Sequence, residues 1–250
     1  MEEMTAKEVR SLLKSFDVEQ TLVLRLLEHR SLDVRQAAQK FLDKKAAEER
    51  RLYELSFYER ALYAKGIQLI AGVDEVGRGP LCGPVMAGAV VLPPDCLIFG
   101  INDSKKLSEK VRLELEKEIK AKALFWAVAG VNHREIDKHN IRQATLMAMK
   151  KALGRLSVFP EHVLVDAETL PDLPVPQTAI VRGDALSVSI AAASILAKNH
   201  RDRVMKIFAQ TYPQYGLENN KGYGSKEHCA AIADYGLSPI HRRSFSLKNL

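Results

Sequence analysis

The chain has 250 residues, of which 46% are hydrophobic and 27% charged, with a net charge of +6. That is enough material for a sizeable core, and no apolar run approaches the roughly 18 residues of a membrane span. The start Met-Glu-Glu-Met lacks the basic opening and apolar stretch of a secretory signal, and Cys82, Cys96 and Cys229 have no C-x-x-C spacing, so reduced thiols in a cytoplasmic protein are expected. Residues 198–250 carry 9 Lys/Arg against 4 Asp/Glu, whereas residues 1–65 carry 13 against 12 and residues 66–197 carry 15 against 15. The basic excess therefore lies near the C-terminus, compatible with a polyanion partner or with an ordinary solvated surface.

Residues 1–65 read as a separate helical extension. Val9, Leu12, Leu13 and Phe16 recur at helical spacing, Leu22, Leu24, Leu26 and Leu27 more loosely, with breaks near Asp17 and Ser31. Lys7, Arg10 and Lys14 can share one helix face, so this segment is either an accessory substrate-binding arm or a stabilising appendage. A chain beginning near Lys65 retains every candidate catalytic acid and is expected to act.

After Gly66 the pattern becomes β-rich. Residues 67–73 form an apolar run, followed by the turn Gly77-Arg-Gly-Pro80. A second run covers 85–92, Asp103-Ser104 can cap a helix over 107–122, and a third strand is expected over 125–131. An amphipathic helix over 141–156, short strands at 162–165 and 178–181, and a long helix over 185–208 complete the series. Ala191, Ala192, Ala193 and Ala197 would let that last helix approach a sheet closely. Such an order predicts an α/β fold with a central mixed sheet.

Four acids stand where apolar runs end. Asp74 and Glu75 follow the run 67–73, Asp166 follows Val163-Leu-Val165, and Asp184 precedes the Ala-rich helix. Carboxylates at the carboxyl ends of strands face the crevice where α/β proteins bind ligands, and buried there alone each would be costly. Taken singly, Asp184 could be a helix N-cap and Asp166 a turn residue. A loop beginning at Glu75 could turn both members of the first pair inward. Gathered without nearby Lys or Arg, the four would repel one another unless a hard divalent cation lay between them. Oxygen donors without His or Cys point to Mg²⁺ or Mn²⁺, and two such ions suit phosphodiester chemistry.

The motifs Asp74-Glu-Val-Gly-Arg-Gly-Pro80, Asp103-Ser-Lys-Lys-Leu107, Val165-Asp166, Gly183-Asp-Ala-Leu-Ser-Val-Ser-Ile-Ala-Ala-Ala-Ser-Ile-Leu-Ala-Lys198, Lys221-Gly-Tyr-Gly-Ser225 and His241-Arg-Arg-Ser-Phe245 together resemble bacterial ribonuclease HII, in order, over residues 66–250. The resemblance implies an RNase H-like fold: a central five-stranded mixed sheet flanked by helices, with a helical basic C-terminal region over about 198–250 beside the cleft. It implies an endonuclease for RNA–DNA hybrids and for single ribonucleotides in duplex DNA, leaving 3′-hydroxyl and 5′-phosphate ends. Asp74, Glu75, Asp166 and Asp184 would be the catalytic acids, holding Mg²⁺ or Mn²⁺, two ions during catalysis. The sister family, ribonuclease HIII, has a sheet-containing N-terminal domain and usually Glu as the fourth acid; a helical N-terminus and Asp184 favour HII.

Within that resemblance, Gly77, Arg78 and Gly79 would read the ribose 2′-hydroxyl, where the residues alone also allow a plain tight turn. Tyr223 would lie against the following deoxyribose, where it is otherwise a core or loop tyrosine. Lys105, Lys106, Lys198, Arg242 and Arg243 are candidate phosphate contacts, with hydroxyls from Ser104 and Ser244. His133, His139, His228 and His241 have no metal-ligand spacing and receive no catalytic role. No Gln-led sliding-clamp peptide is evident in the terminal Ser-Leu-Lys-Asn-Leu250, and a monomer without membrane association is expected. A resolvase- or transposase-like nuclease and a hybrid-binding module without chemistry are the competing readings; the ribose-reading loop argues against the first and the full acid set against the second.

Overall fold

The computed structural model describes residues 4–14, 16 and 18–245, so the break expected near Asp17 and the terminal segment 246–250 lie outside the described residues. The chain divides into two compact units, Met1–Glu54 and Leu55–Leu250.

The first unit contains α1 (Ala6–Leu12), α2 (Gln20–Leu27) and most of α3 (Leu32–Leu55). Thr5 and Glu8 form a reciprocal capping box at the start of α1, satisfying two amides that a helix start leaves free. Val9, Val23, Leu26, Val34, Ala38 and Phe41 bury one another. Leu12 and Leu24, two of the residues counted in the expected apolar pattern, are exposed instead. Because α1 ends at Leu12, Lys14 lies beyond it and does not extend a helix face begun by Lys7 and Arg10.

The second unit begins ahead of the expected boundary at Gly66, and the physical reason is α4 (Phe57–Tyr63). Its Leu62 packs with Ile70, Leu164, Ile180 and Ile190, and Tyr63 donates its hydroxyl to Leu92 O at 3.2 Å. Glu59, buried at 3% exposure, accepts at Oε1 from the hydroxyls of Ser187 and Ser189 and from the Ser189 amide. A chain beginning at Lys65 would lose all of these contacts.

Five strands form one sheet in the order β3-β2-β1-β4-β5: β1 (Ile70–Val76), β2 (Val85–Val91), β3 (Phe125–Val131), β4 (His162–Asp166) and β5 (Gln177–Ile180). The β1–β2 and β2–β3 pairs are antiparallel and the β1–β4 and β4–β5 pairs parallel, which gives the mixed sheet. β1 starts later than the apolar run because Glu161 Oε2 accepts from the Gln68 and Leu69 amides at 2.7 and 2.8 Å. Asp74 and Glu75 consequently lie inside the strand, and no loop begins at Glu75.

One face of the sheet carries α6 (His133–Leu153), the other α7 (Val188–Thr211). α6 starts well before the expected 141, capped by Asn132, and breaks at Asn140 (φ 66), whose side chain caps the second half through the Gln143 amide. α7 meets the sheet backbone to backbone. A Cβ added to Gly72 would fall 2.1 Å from Ser189 C, and one added to Gly88 would fall 2.3 Å from Ala193 O. α5 (Glu109–Lys122) is capped by Ser108, whereas Asp103 caps a separate 3-10 turn, Ser104–Lys106. The C-terminal region holds α8 (Leu217–Asn220) and α9 (Lys226–Tyr235) around Cys82, Met205, Tyr215, Leu217, Ala231, Ile232 and Ile240. Among the described residues, no helix is long and apolar enough to cross a membrane.

Candidate active site

Parallel pairing sets the site. β1 and β4 match Val73 with Val165, so the next residues, Asp74 and Asp166, stand side by side at the carboxyl end of the central strands. Carboxylate oxygens of Asp74, Glu75 and Asp166 all lie within 4.8 Å of one another. Asp166 Oδ1 accepts from the Gly183 amide at 2.6 Å, which ties β4 to the turn Gly183–Ala185 carrying Asp184. Both connections use left-handed non-glycine residues, Ala167 (φ 53) and Arg182 (φ 59), conformations that L residues adopt only when the surroundings impose them. Asp184 does not cap α7. Ser187 does, in an extended conformation and with its side chain accepting from the Ile190 amide.

The cluster is electrostatically loaded. Burial raises the Asp74 carboxyl well above the ordinary carboxylate range, and the charges of Glu75, Asp166 and Asp184 push the same way, against a hydrogen bond from Ser194. Burial raises Glu75 as well, with Arg78 opposing it, and raises Asp184, with Asp103 adding to the effect. Glu75 Oε2 is buried without a hydrogen-bond partner. The expectation of a cluster free of nearby cations needs correction at the rim: Arg78 Nη1 is 3.5 Å from Glu75 Oε1 and Lys105 Nζ 3.9 Å from Asp184 Oδ2. Both side chains remain solvent-accessible, and neither reaches the orphaned oxygen.

The remaining expected residues separate. Lys105 and Lys106 are exposed, as are Arg243 and Tyr223. Gly79 lies beside Tyr223, since a Cβ there would come 3.7 Å from Tyr223 Cε1. Four others are engaged by groups of the protein itself. Ser104 is buried and shares a hydrogen bond with Ser194 at 3.0 Å. Lys198 is held by both oxygens of Asp202 at 2.5 and 2.7 Å. Ser244 donates its amide and hydroxyl to Asp137. Arg242 is 2% exposed, and its guanidinium donates to the main-chain oxygens of Gly77, Arg78 and Gly83. A side chain so enclosed meets peptide oxygens in place of phosphate.

Two histidines without ligand spacing meet in space. The Ser238 amide donates to His241 Nδ1 at 2.9 Å, leaving the proton on Nε2. That nitrogen faces His228 Nε2 at 3.1 Å, so His228 carries its own proton on Nδ1, 2.9 Å from Tyr223 O. The pair, with Cys82 adjacent, anchors the main chain of the Tyr223 loop. Burial holds His228 below the ordinary histidine range and pushes His241 down to about 4, helped by its partner ring. Sequence reasoning also missed Glu59, Ser187, Ser189, Ser194 and Arg201. The three serines lay within a recognised motif, but nothing marked them as capping or orienting groups.

An α/β layer with acids gathered at the carboxyl end of its central strand is the RNase H-like fold. The solved ribonuclease H2 from Pyrococcus horikoshii OT3 is similar at TM-score 0.62 and 29% identity, over 71% of this chain and 94% of that one. The ribonuclease HII family model matches residues 71–248. The chain is 46% identical to ribonuclease HII of Clostridioides difficile (strain 630) over 100% of both chains. It is 52% identical to that of Caldanaerobacter subterraneus subsp. tengcongensis over 81% of this chain and 84% of the relative. The chain belongs to the ribonuclease HII family and is an endoribonuclease of RNA–DNA hybrids.

Proposed function

We propose that this ribonuclease cuts at ribonucleotides, whether single in duplex DNA or within longer hybrids, with Asp74, Glu75, Asp166 and Asp184 holding Mg²⁺ or Mn²⁺. The observation that carries this reading is the buried, unpartnered Glu75 Oε2 inside a cluster of carboxylates with raised proton affinity. Such a cluster is uncomfortable with protein groups alone, and its all-oxygen donor set fits hard divalent cations. Bound there, two such ions would supply an activated water and stabilise the leaving oxygen, giving 3′-hydroxyl and 5′-phosphate ends.

The chain's own groups provide position. Asp74 Oδ1 accepts from the Glu75 amide at 2.7 Å, and the Gly183 amide fixes Asp166. Exposed Lys105, Lys106 and Arg243 and the half-buried Arg78 supply positive charge for phosphates. The Gly77–Gly79 loop contacts the ribose, and the exposed Tyr223 ring offers its face to the next sugar. Residues 1–54 serve as an accessory unit for the duplex, and the enzyme acts as a cytoplasmic monomer.

The test is an end-labelled DNA duplex carrying one ribonucleotide, incubated with Mg²⁺, Mn²⁺ or EDTA. One cut at the ribonucleotide is expected with either metal and none with EDTA. Equal cutting of an all-DNA duplex, or cutting in EDTA, overturns the reading.

A further inference from the structure

Two arginines lie fully enclosed behind the Gly77–Gly79 loop. Arg201 is 0% exposed and Arg242 2% exposed, and neither forms an ion pair within 4.0 Å among the described residues. Uncompensated buried charge is expensive, and burial accordingly weakens proton binding at both, Arg242 falling to about 9 with the Arg201 charge contributing. Their donors converge on main-chain oxygens of one short segment. Arg242 Nη2, Nη1 and Nε reach Gly77 O, Arg78 O and Gly83 O at 2.6, 2.9 and 3.0 Å. Arg201 Nε and Nη2 reach Pro84 O and Cys82 O at 3.1 and 3.4 Å.

The consequence follows from peptide geometry. In a planar trans peptide the carbonyl of one residue and the amide N–H of the next point in opposite directions, and the chain has no cis peptide among the described residues. With Gly77 O and Arg78 O drawn back to Arg242, the Arg78 and Gly79 amides face away from it. Neither amide donates to a protein acceptor among the described residues. Gly77 itself (φ +90) must be glycine, because a Cβ there would lie 2.3 Å from Arg201 Nε. The Arg201 guanidinium also sits 5.8 Å from the Tyr223 ring centroid, joining the loop to the aromatic residue on its other side.

We infer that Arg201 and Arg242 are positioning residues that orient the two free loop amides and Tyr223 for the ribonucleotide, so that they govern turnover without serving the acid cluster. This rests on the proposed ribose-contacting role of the loop. It places the specificity determinant one layer beneath the residues that meet substrate.

The experiment compares Arg201→Lys and Arg242→Lys with the unaltered enzyme on a duplex carrying one ribonucleotide. Each variant keeps the charge but loses the forked geometry. kcat is expected to fall about 10- to 100-fold with KM changed far less, as for misplaced contacts, while Mn²⁺ affinity of the protein alone is unchanged. On the unaltered protein, the Arg201 and Arg242 Nε–H resonances should shift with the ribonucleotide-bearing duplex, in Ca²⁺, and not with all-DNA duplex. Folded variants with unaltered kcat overturn the inference, as does a matched loss of Mn²⁺ affinity. If the variants do not fold, resonances indifferent to the ribonucleotide overturn it. Failure of the unaltered enzyme to cut at the ribonucleotide would instead sink the proposed function.

Discussion

Glu59 Oε1 accepts hydrogen bonds from both the amide and the hydroxyl of Ser189, at 3.0 and 2.5 Å, and so ties α4 to the first turn of the helix that follows Asp184. Removing that acceptor leaves buried donors unpaired, at about 1–3 kcal/mol each. Glu59→Ala should therefore lower the melting temperature by several degrees, and Glu59→Gln by less. A chain beginning at Leu55 should retain most of its thermal stability and its cleavage, whereas one beginning at Lys65 should lose both. Equal melting temperatures for the two truncations would refute the structural role of α4.

The acid cluster makes metal-free stability depend on pH with a definite sign. The folded-state proton affinity of Asp74 is raised, so its contribution is full below the unfolded value of about 3.9 and is lost as pH rises through the folded value. In EDTA, the melting temperature of Asp74→Asn should exceed that of the unaltered protein near neutrality, with a flatter dependence on pH. Adding Mn²⁺ should stabilise the unaltered protein more than the variant, and turnover of the variant should drop by orders of magnitude. Turnover within about threefold of the unaltered enzyme would contradict the site assignment, since a lost metal ligand costs several kcal/mol of transition-state stabilisation.

His241 gives the opposite slope at lower pH. Held neutral with a folded value of about 4 against about 6.5 unfolded, it destabilises the fold as pH falls through that interval, because the unfolded chain binds the extra proton. His241→Asn should be less stable at neutral pH, where the contact with His228 is lost, yet should show a shallower fall between the two values. Thermal melts across the interval with identical slopes would remove His241 as the cause.

The N-terminal unit is tested by salt. If residues 1–54 contact duplex phosphates, deleting them should raise the apparent KM and reduce the slope of log affinity against log salt by roughly one per lost contact. An unchanged slope would return the unit to a purely stabilising role.

What could be read from sequence follows from where each signal resides. β3 coincides with its β-rich apolar run, although burial alternates along it and Trp126 is exposed. β1 and α7 begin later than their apolar patterns, since Glu161 and Ser187 decide their starts by side-chain hydrogen bonds that hydropathy does not record. Asp74, Glu75 and Asp166 are evident because acids that close an apolar run are conspicuous. Lys198 and Arg242 are candidate phosphate contacts in sequence, and only the fold reveals that Arg242, with Arg201, is enclosed and that Lys198 is paired with Asp202. His228 and His241 are brought together by a turn after α9 that spacing alone could not indicate.

The placement of β1 at the middle of the sheet also limits how this protein can change over time. Asp74 and Gly72 share one face of a strand that is hydrogen-bonded on both sides. A single inserted or deleted residue there would reverse every side chain beyond it. Gly72 would no longer meet α7 and Asp74 would leave the crevice, so packing and chemistry would fail in one event. Length variation is consequently better tolerated in connections such as 93–97, where no residue is buried, while residues 70–76 can vary only by substitution.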